Sequence, residues 1–335
     1  MANQTGAVAN PARTIRDWIR GPRGPVLQQQ AYAYLTDNQG LAVTVIDTGT
    51  RTVVRAIEVA GPSGCLTVDA VGERVYVALG TPSQIDVIDA ATNVVIDHIP
   101  VTARSMAVNP STARLYGASD GAVVVIDTST NSVIATLPVG GSLAGVAIKP
   151  DGTRVYVADN SGNAVYVIDA AGNTVLPGAI AVGSGPQGLA VHPNGTRLYV
   201  ANGKDDSVSA IKTDSSPPVV QRISVGSAPY AVAVNKAGTR VYVTNTGGRS
   251  VSVIDTARNL VIATVPLGYP PQGVAVSRNG KEVYAVVRGY PRSLTTDTTG
   301  ALAVIDATCH GHVADVSMGE ADFKPGGLGD FLLPH

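Results

Sequence analysis

A tyrosine recurs seven times along the chain at a nearly fixed interval: Tyr34, Tyr76, Tyr116, Tyr156, Tyr199, Tyr242 and Tyr284, spaced by 40 to 43 residues. A unit repeating at this period is one supersecondary element. It cannot bury its apolar face alone and must stack on its neighbours. The stretch from Val155 to Arg197 shows what one unit contains. Tyr156 and Val157 open an apolar run, and Asp159 to Asn163 end it. Val165 to Asp169, then Ile180 to Val182, then Gly188 to Val191 follow, with Gly, Asn or Pro between them. Short runs rich in Val, Ile and Tyr with such punctuation read as antiparallel strands. No segment of the unit sustains a helical period over three turns. Four strands in roughly 40–45 residues predict a propeller blade. Seven starts therefore predict an all-β fold, a seven-bladed β-propeller of four-stranded antiparallel blades.

The repeat supplies an internal control. Residues copied in most units belong to the scaffold, and residues that break the pattern are free to serve function. After each tyrosine comes a Val-Ile-Asp block or a close variant, ending at Asp47, Asp89, Asp127, Asp169, Asp255 and Asp306. The fifth unit departs, with Ala210, Ile211 and Lys212. The aspartates are expected to organise the turn to the outer strand, with Thr48, Thr128 and Thr256 beside them. Asp37, Asp159, Asn202 and Asn245, three residues after their tyrosines, are expected to form turns as well.

A block of the form Pro186-Gln187-Gly188 precedes the next tyrosine in most units, which makes it the innermost strand. The first unit has no such block ahead of it. The tail from Lys324 to Leu332 is expected to supply the missing inner strand and close the ring on the N-terminal blade, hiding an open sheet edge. Pro25 to Gln28 is a rival for that place. Residues 1–30 read as an N-terminal arm, with a short helix carrying Ile15, Trp18 and Ile19 on one side. Residues 31–335 read as a single propeller domain.

The blocks Tyr242-Val243-Thr244-Asn245, Val251 to Asp255 and Pro271 to Val276 resemble the YVTN-type β-propeller repeat, over roughly residues 31–333. The resemblance implies the propeller fold. Its members span ligand-binding, envelope-associated and surface-layer proteins, with related seven-bladed lyases and other propeller enzymes. The Trp-Asp pair of WD repeats does not occur.

Charge narrows the partners. Lys plus Arg number 24 against 25 Asp plus Glu, so there is no basic footprint for nucleic acid. No apolar run approaches the ~18 residues of a membrane span, and the first ten residues lack the pattern of a secretory signal. The expectation is a soluble, cytoplasmic monomer. Two cysteines, Cys65 and Cys309, are too few for a disulfide framework.

Function is expected where the copies differ. The residue between Pro and Gly at the start of each inner strand, or its equivalent, is Gly64, Arg104, Ala144, Gln187, Tyr230, Gln272 and, in the tail, Gly326. Together these ring one mouth of the central channel: a cation, two amides, a phenol and open space. The last unit also carries an insertion. Tyr284 to Asp306 spans 22 positions, where Tyr156 to Asp169 spans 13. Its loop, 288–300, is expected to bring Arg288, Tyr290 and Arg292 over the mouth. With Arg104 and Lys324 these make the mouth basic, and the implied ligand is a small anion such as a carboxylate or phosphate. The alternative is an enzyme of lyase, isomerase or cyclase type, with Arg104 stabilising charge and Tyr230, Tyr290 or Asp322 moving protons. A protein-interaction scaffold is the third reading. No cofactor motif appears. Cys309, His310 and His312 have metal-ligand chemistry, but such close spacing in a turn does not close a tetrahedral site, and no metal is expected. His98 and His192 read as structural, and Cys65 as a small packing residue.

Overall fold

The computed structural model describes residues 32–36, 41–69, 73–291 and 298–317. Every regular element among them is a β-strand, and all pairings are antiparallel. The second blade is Ser63–Val68, Arg74–Leu79, Ile85–Asp89 and Val94–Ile99, in spatial order from channel to rim. The fifth is Pro186–Val191, Arg197–Asn202, Ser207–Lys212 and Val220–Ser224. The sixth is Pro229–Val234, Arg240–Asn245, Ser250–Asp255 and Leu260–Pro266, and the seventh Pro271–Val276, Glu282–Pro291, Thr298–Asp306 and His312–Ser317. The third and fourth fall in one sheet because the strand Ser132–Ile148 runs from the outer edge of the third blade into the inner strand of the fourth, while Arg114–Asp127 spans the two middle strands of the third. The first blade shows three strands, Tyr32–Thr36, Ala42–Asp47 and Thr52–Glu58. These are the seven blades that the tyrosine period predicts. The closing strand expected from 324–332 and the arm at 1–30 lie outside the described residues.

The core lies between blades. Each sheet alternates its side chains toward its two neighbours, so both faces are apolar. Tyr76, Ile85 and Val87 of the second blade pack with Met106, Leu115 and Ile126 of the third. The ring closes in the same manner: Ala33, Leu35 and Ile46 of the first blade pack with Tyr284, Val286, Leu302 and Val304 of the seventh.

The seven tyrosines are buried wedges, none more than 3% exposed. A buried phenol needs a partner for its hydroxyl, and at three junctions an asparagine of the next blade supplies it. Tyr34 Oη donates to Asn93 Oδ1 at 2.9 Å, Tyr116 to Asn173 at 3.0 Å and Tyr199 to Asn259 at 3.1 Å. Each asparagine sits four residues after the aspartate of its Val-Ile-Asp block, in the left-handed region with φ near 50°. The aspartate holds that turn as expected: Asp89 Oδ1 accepts the Thr92 N–H at 2.7 Å, and Asp306 Oδ1 accepts the Thr308 N–H at 2.7 Å. The arginine that opens the tyrosine strand adds a second tie to the next blade. Arg74 donates to the Thr128 carbonyl at 2.6 Å, Arg114 to that of Ala170 at 2.5 Å, and Arg197 to that of Thr256.

The seam between the last and first blades is chemically different. Glu282 stands where blades two to six have arginine, and Arg51 stands where four blades have asparagine. The two pair at 2.5 Å, and Glu282 also accepts the Tyr284 hydroxyl at 2.5 Å. Elsewhere the arginine of this position bonds a backbone carbonyl of the next blade or an aspartate of its own.

Two outcomes follow. Tyr116→Phe leaves Asn173 Oδ1 without its phenol partner and is expected to cost about 1 kcal/mol in urea unfolding. Tyr76→Phe is expected to be neutral or mildly stabilising, because Tyr76 Oη has no partner to lose. At the seam, Glu282→Arg places two cations together and is expected to cost about 1–2 kcal/mol. The exchange Arg51→Glu with Glu282→Arg is expected to recover at least half of that in a double-mutant cycle.

Candidate functional site

At one end of the ring the inner strands begin, and each of the second to seventh blades contributes two mouth positions. One is the residue between Pro and Gly, or its equivalent. The other lies four residues after the tyrosine. Main-chain bonds hold the two segments side by side: Gly80 N to Pro62 O at 2.9 Å, Arg104 N to Ala118 O at 2.7 Å, Thr246 N to Ala228 O at 3.0 Å and Arg288 N to Pro270 O at 3.0 Å. The pairs are therefore Gly64 with Gly80, Arg104 with Asp120, Ala144 with Asn160, Gln187 with Gly203, Tyr230 with Thr246, and Gln272 with Arg288.

Glycine at the third position of the inner strand lets neighbouring blades approach. A Cβ on Gly145 would stand 2.4 Å from Gln187 O, and one on Gly188 would stand 2.7 Å from Tyr230 O and 3.0 Å from Ala231 Cα. The backbone of each inner strand thus rests on the strand before it, which places the side chains of Gln187 and Tyr230. In the second and third blades this position is Cys65 and Ser105. Ser105 Oγ accepts the Val146 N–H at 3.1 Å, and Cys65 is buried in the inter-blade core, in keeping with its reading as a packing residue.

The mouth is uneven. On one side Arg104 pairs with Asp120 at 2.6 Å, with side chains 59% and 79% exposed. The Arg104 cation is therefore neutralised and solvent-screened. On the other side, in blades five to seven, the polar groups sink inward. Tyr230 is half-buried and packs on the core shared by blades six and seven. Burial pushes its phenol above the usual tyrosine range, partly offset by the Arg288 guanidinium, while the Cys65 thiol across the channel adds to the rise. Tyr230 stays a protonated donor at neutral pH. Arg288 is half-buried too; burial lowers its pKa and Tyr230 offsets part of that. Beside them Gln272 is only 8% exposed, and its Oε1 has no hydrogen-bond partner. The Gln272 carbonyl is engaged by Thr244 Oγ1 at 2.6 Å, and Thr246 Oγ1 is engaged by Pro271 O at 2.7 Å.

The insertion after Tyr284 differs from the expected loop. Tyr290 pairs with Thr299 and Pro291 with Thr298, so the flanks of the insertion prolong two strands of the seventh blade as a β-ribbon. The run of β-branched threonines on the return side favours this extension. The Tyr290 backbone belongs to that ribbon. Arg292, Asp322, Lys324 and Gly326 lie outside the described residues. Of the predicted mouth residues, Gln187, Tyr230, Gln272 and Arg288 fall in one sector, and Arg104 falls away from it. What sequence reasoning missed is Asp120 as the partner of Arg104. The signal was its place four residues after Tyr116, where other blades carry Asn160 or Thr246.

The histidines sit elsewhere. His192 Nε2 lies 2.7 Å from Gly238 O of the next blade's turn, and His98 Nδ1 lies 2.7 Å from the buried Asp86 carboxylate at the rim. Cys309 is exposed, His312 pairs with Asp315 at 2.8 Å, and among the described residues no three His, Cys, Asp or Glu side chains converge as a metal set would.

The fold and this mouth define a seven-bladed β-propeller with a polar, partly desolvated sector at one end of its channel. The sequence model of the family "Lactonase, 7-bladed beta-propeller" matches residues 112–224, a third of the chain. Among solved structures the chain is similar to a protein of unknown function from Desulfotomaculum acetoxidans (TM-score 0.77, 14% identity, covering 91% of this chain and 99% of that one). It is also similar to a proposed 6-phosphogluconolactonase from Bacteroides uniformis (TM-score 0.73, 16% identity, 91% and 100% covered). A third relative in fold is the hydrazine synthase of Kuenenia stuttgartiensis (TM-score 0.72, 20% identity, 86% and 99% covered). At these identities the likeness is one of fold. A sequence search of curated proteins found no match.

If Gly188 is the spacer that seats Tyr230, Gly188→Ala must push the sixth blade's inner strand aside. The expected cost is about 1–3 kcal/mol in denaturant unfolding, with changed Tyr230 exposure in ultraviolet difference spectra. Gly64→Ala, whose Cβ would meet only Ala78 O at 3.9 Å, is expected to be silent in both.

Proposed function

We propose that this protein binds a small anionic molecule at the channel mouth, on the sector formed by Gln187, Tyr230, Gln272 and Arg288. One observation carries the reading: a half-buried guanidinium and a protonated phenol lie within electrostatic reach of each other at the end of a channel. An anionic ligand at this place would meet both groups where the local dielectric is low, which strengthens the contact. Arginine offers two parallel N–H donors to a carboxylate or phosphate, and Tyr230 a third donor. The screened Arg104–Asp120 pair has no net charge to offer and stands outside this sector.

A second reading is catalytic. The Lactonase family match over residues 112–224, which includes Gln187 but not Tyr230, Gln272 or Arg288, favours hydrolysis of a cyclic ester by this protein. In that reading Arg288 and Tyr230 stabilise the oxyanion that forms when water adds to the ester carbonyl.

The test is a thermal-shift and calorimetric screen of carboxylates and phosphates, with lactones added for turnover. Arg288→Ala is expected to weaken binding of any hit by about 10- to 100-fold, and Tyr230→Phe by about 10-fold. Arg104→Ala is expected to change it less than 2-fold at 0.15 M salt. Binding that survives Arg288→Ala, or that falls with Arg104→Ala alone, would remove this assignment.

A further inference from the structure

The geometry points to Gln272 as a specificity residue: we infer that the ligand carries a hydroxyl or N–H donor beside its anionic group, and that Gln272 Oε1 receives it. The inference rests on the anion-binding reading above and adds to it a statement about ligand chemistry. Its ground is an orphaned atom. Gln272 Oε1 is buried and unpartnered; the Asn202 and Asn245 amide oxygens are too, but those side chains are anchored inside their own blades, each giving its Nδ2 to two serines, and Thr244, Thr246, Arg104 and Asp120 all have partners. A buried amide oxygen left without a donor destabilises the empty fold. An apolar residue of the same length would fill the same space without that penalty.

Position gives the orphan its meaning. Gln187 occupies the equivalent place in the fifth blade, where Gly203 faces it and the side chain is half-buried and absent from the orphaned atoms. Gln272 has Arg288 at the place of Gly203 and Tyr230 in the preceding blade. The same residue type thus becomes a desolvated acceptor only beside the cation and the phenol. Those two groups donate only. A plain carboxylate answers both and leaves Oε1 unanswered. An anion with a neighbouring hydroxyl answers all three. A site that holds an acceptor for a ligand hydroxyl rejects the analogue lacking it, because the acceptor would stay buried and unpaired.

The experiment uses full-length protein and matched probes: lactate and glycerate against propionate, titrated by calorimetry into wild type and Gln272→Met. Wild type is expected to prefer the hydroxylated acids by about 10-fold, the size of one hydrogen bond's contribution. Gln272→Met is expected to bind all three alike, near the wild-type affinity for propionate, with an unfolding midpoint equal to or above that of wild type. Equal wild-type binding of lactate and propionate, abolished by Arg288→Ala, would overturn this inference while leaving the anion site standing. So would a preference for hydroxyl that persists in Gln272→Met. If no acid binds wild type at 10 mM, and phosphate does not either, the anion site itself falls and the inference falls with it. A lowered midpoint for Gln272→Met would show that the amide supports the fold instead, and would also overturn it.

Discussion

Everything in this molecule depends on one contact, the seat of each blade against the next. No blade holds its own core. The tyrosine of one blade is buried by its neighbour, and in three junctions its hydroxyl ends on an asparagine 57 to 60 residues further along the chain. Inner strands approach so closely at Gly145 and Gly188 that even a methyl group would strike the adjacent main chain. Stability is then a sum over junctions. A ring has one junction that sequence order does not make, and there the chain uses different chemistry. Arg51 and Glu282 stand where four blades have asparagine and blades two to six have arginine. The exchange distinguishes the closing partner from six near-identical blades, which is the standing hazard of a repeat.

Much of this architecture was legible beforehand. A period of 40 to 43 residues, four strand signals per unit and Gly–Asn–Asp punctuation leave little besides a propeller. The aspartate turns were legible for a local reason, since each Asp accepts N–H groups two or three residues away. The asparagines were not recognised, because their partners are tyrosines in another blade. Their signal was nevertheless present: Asn93, Asn131, Asn173 and Asn259 all stand four residues after the aspartate. A local pattern with a distant partner shows as recurrence before it shows as chemistry.

The mouth was half legible. Its residues could be enumerated, because the position between Pro and Gly is fixed by the repeat. Which of them matter could not be read, because burial at the mouth is set by two neighbouring blades at once. Arg104 stood out in the sequence as the one charged member of the ring. The structure gives it Asp120 and leaves both in solvent. Arg288 was read as part of a lid, yet its backbone belongs to the continuous strand Glu282–Pro291 that the insertion prolongs. Gln187 and Gln272 are identical letters at equivalent positions, one half-buried and one nearly sealed. Conspicuous charge is thus a poor guide in a repeat protein, since solvent and a single carboxylate cancel it. Desolvation is the better guide, and it is not written at any one position.

The distribution of unsatisfied groups separates the two demands on the ring. Most buried polar groups at the junctions are paired, and those pairs recur from blade to blade with small variation. Such groups hold the scaffold. Gln272 Oε1 is unpaired, desolvated and confined to the mouth. Tyr76 Oη is also unpaired, but it lies inside an inter-blade core, where its counterparts in other blades make the expected bond. The first exception sits beside a half-buried cation at an opening, whereas the unpaired amide oxygens of Asn202 and Asn245 belong to side chains that two serines of the same blade already hold. The second is one imperfect copy of a structural bond. A repeat scaffold makes that comparison possible within a single chain: an unsatisfied group matters for function when the other blades offer no bond that it has merely failed to make.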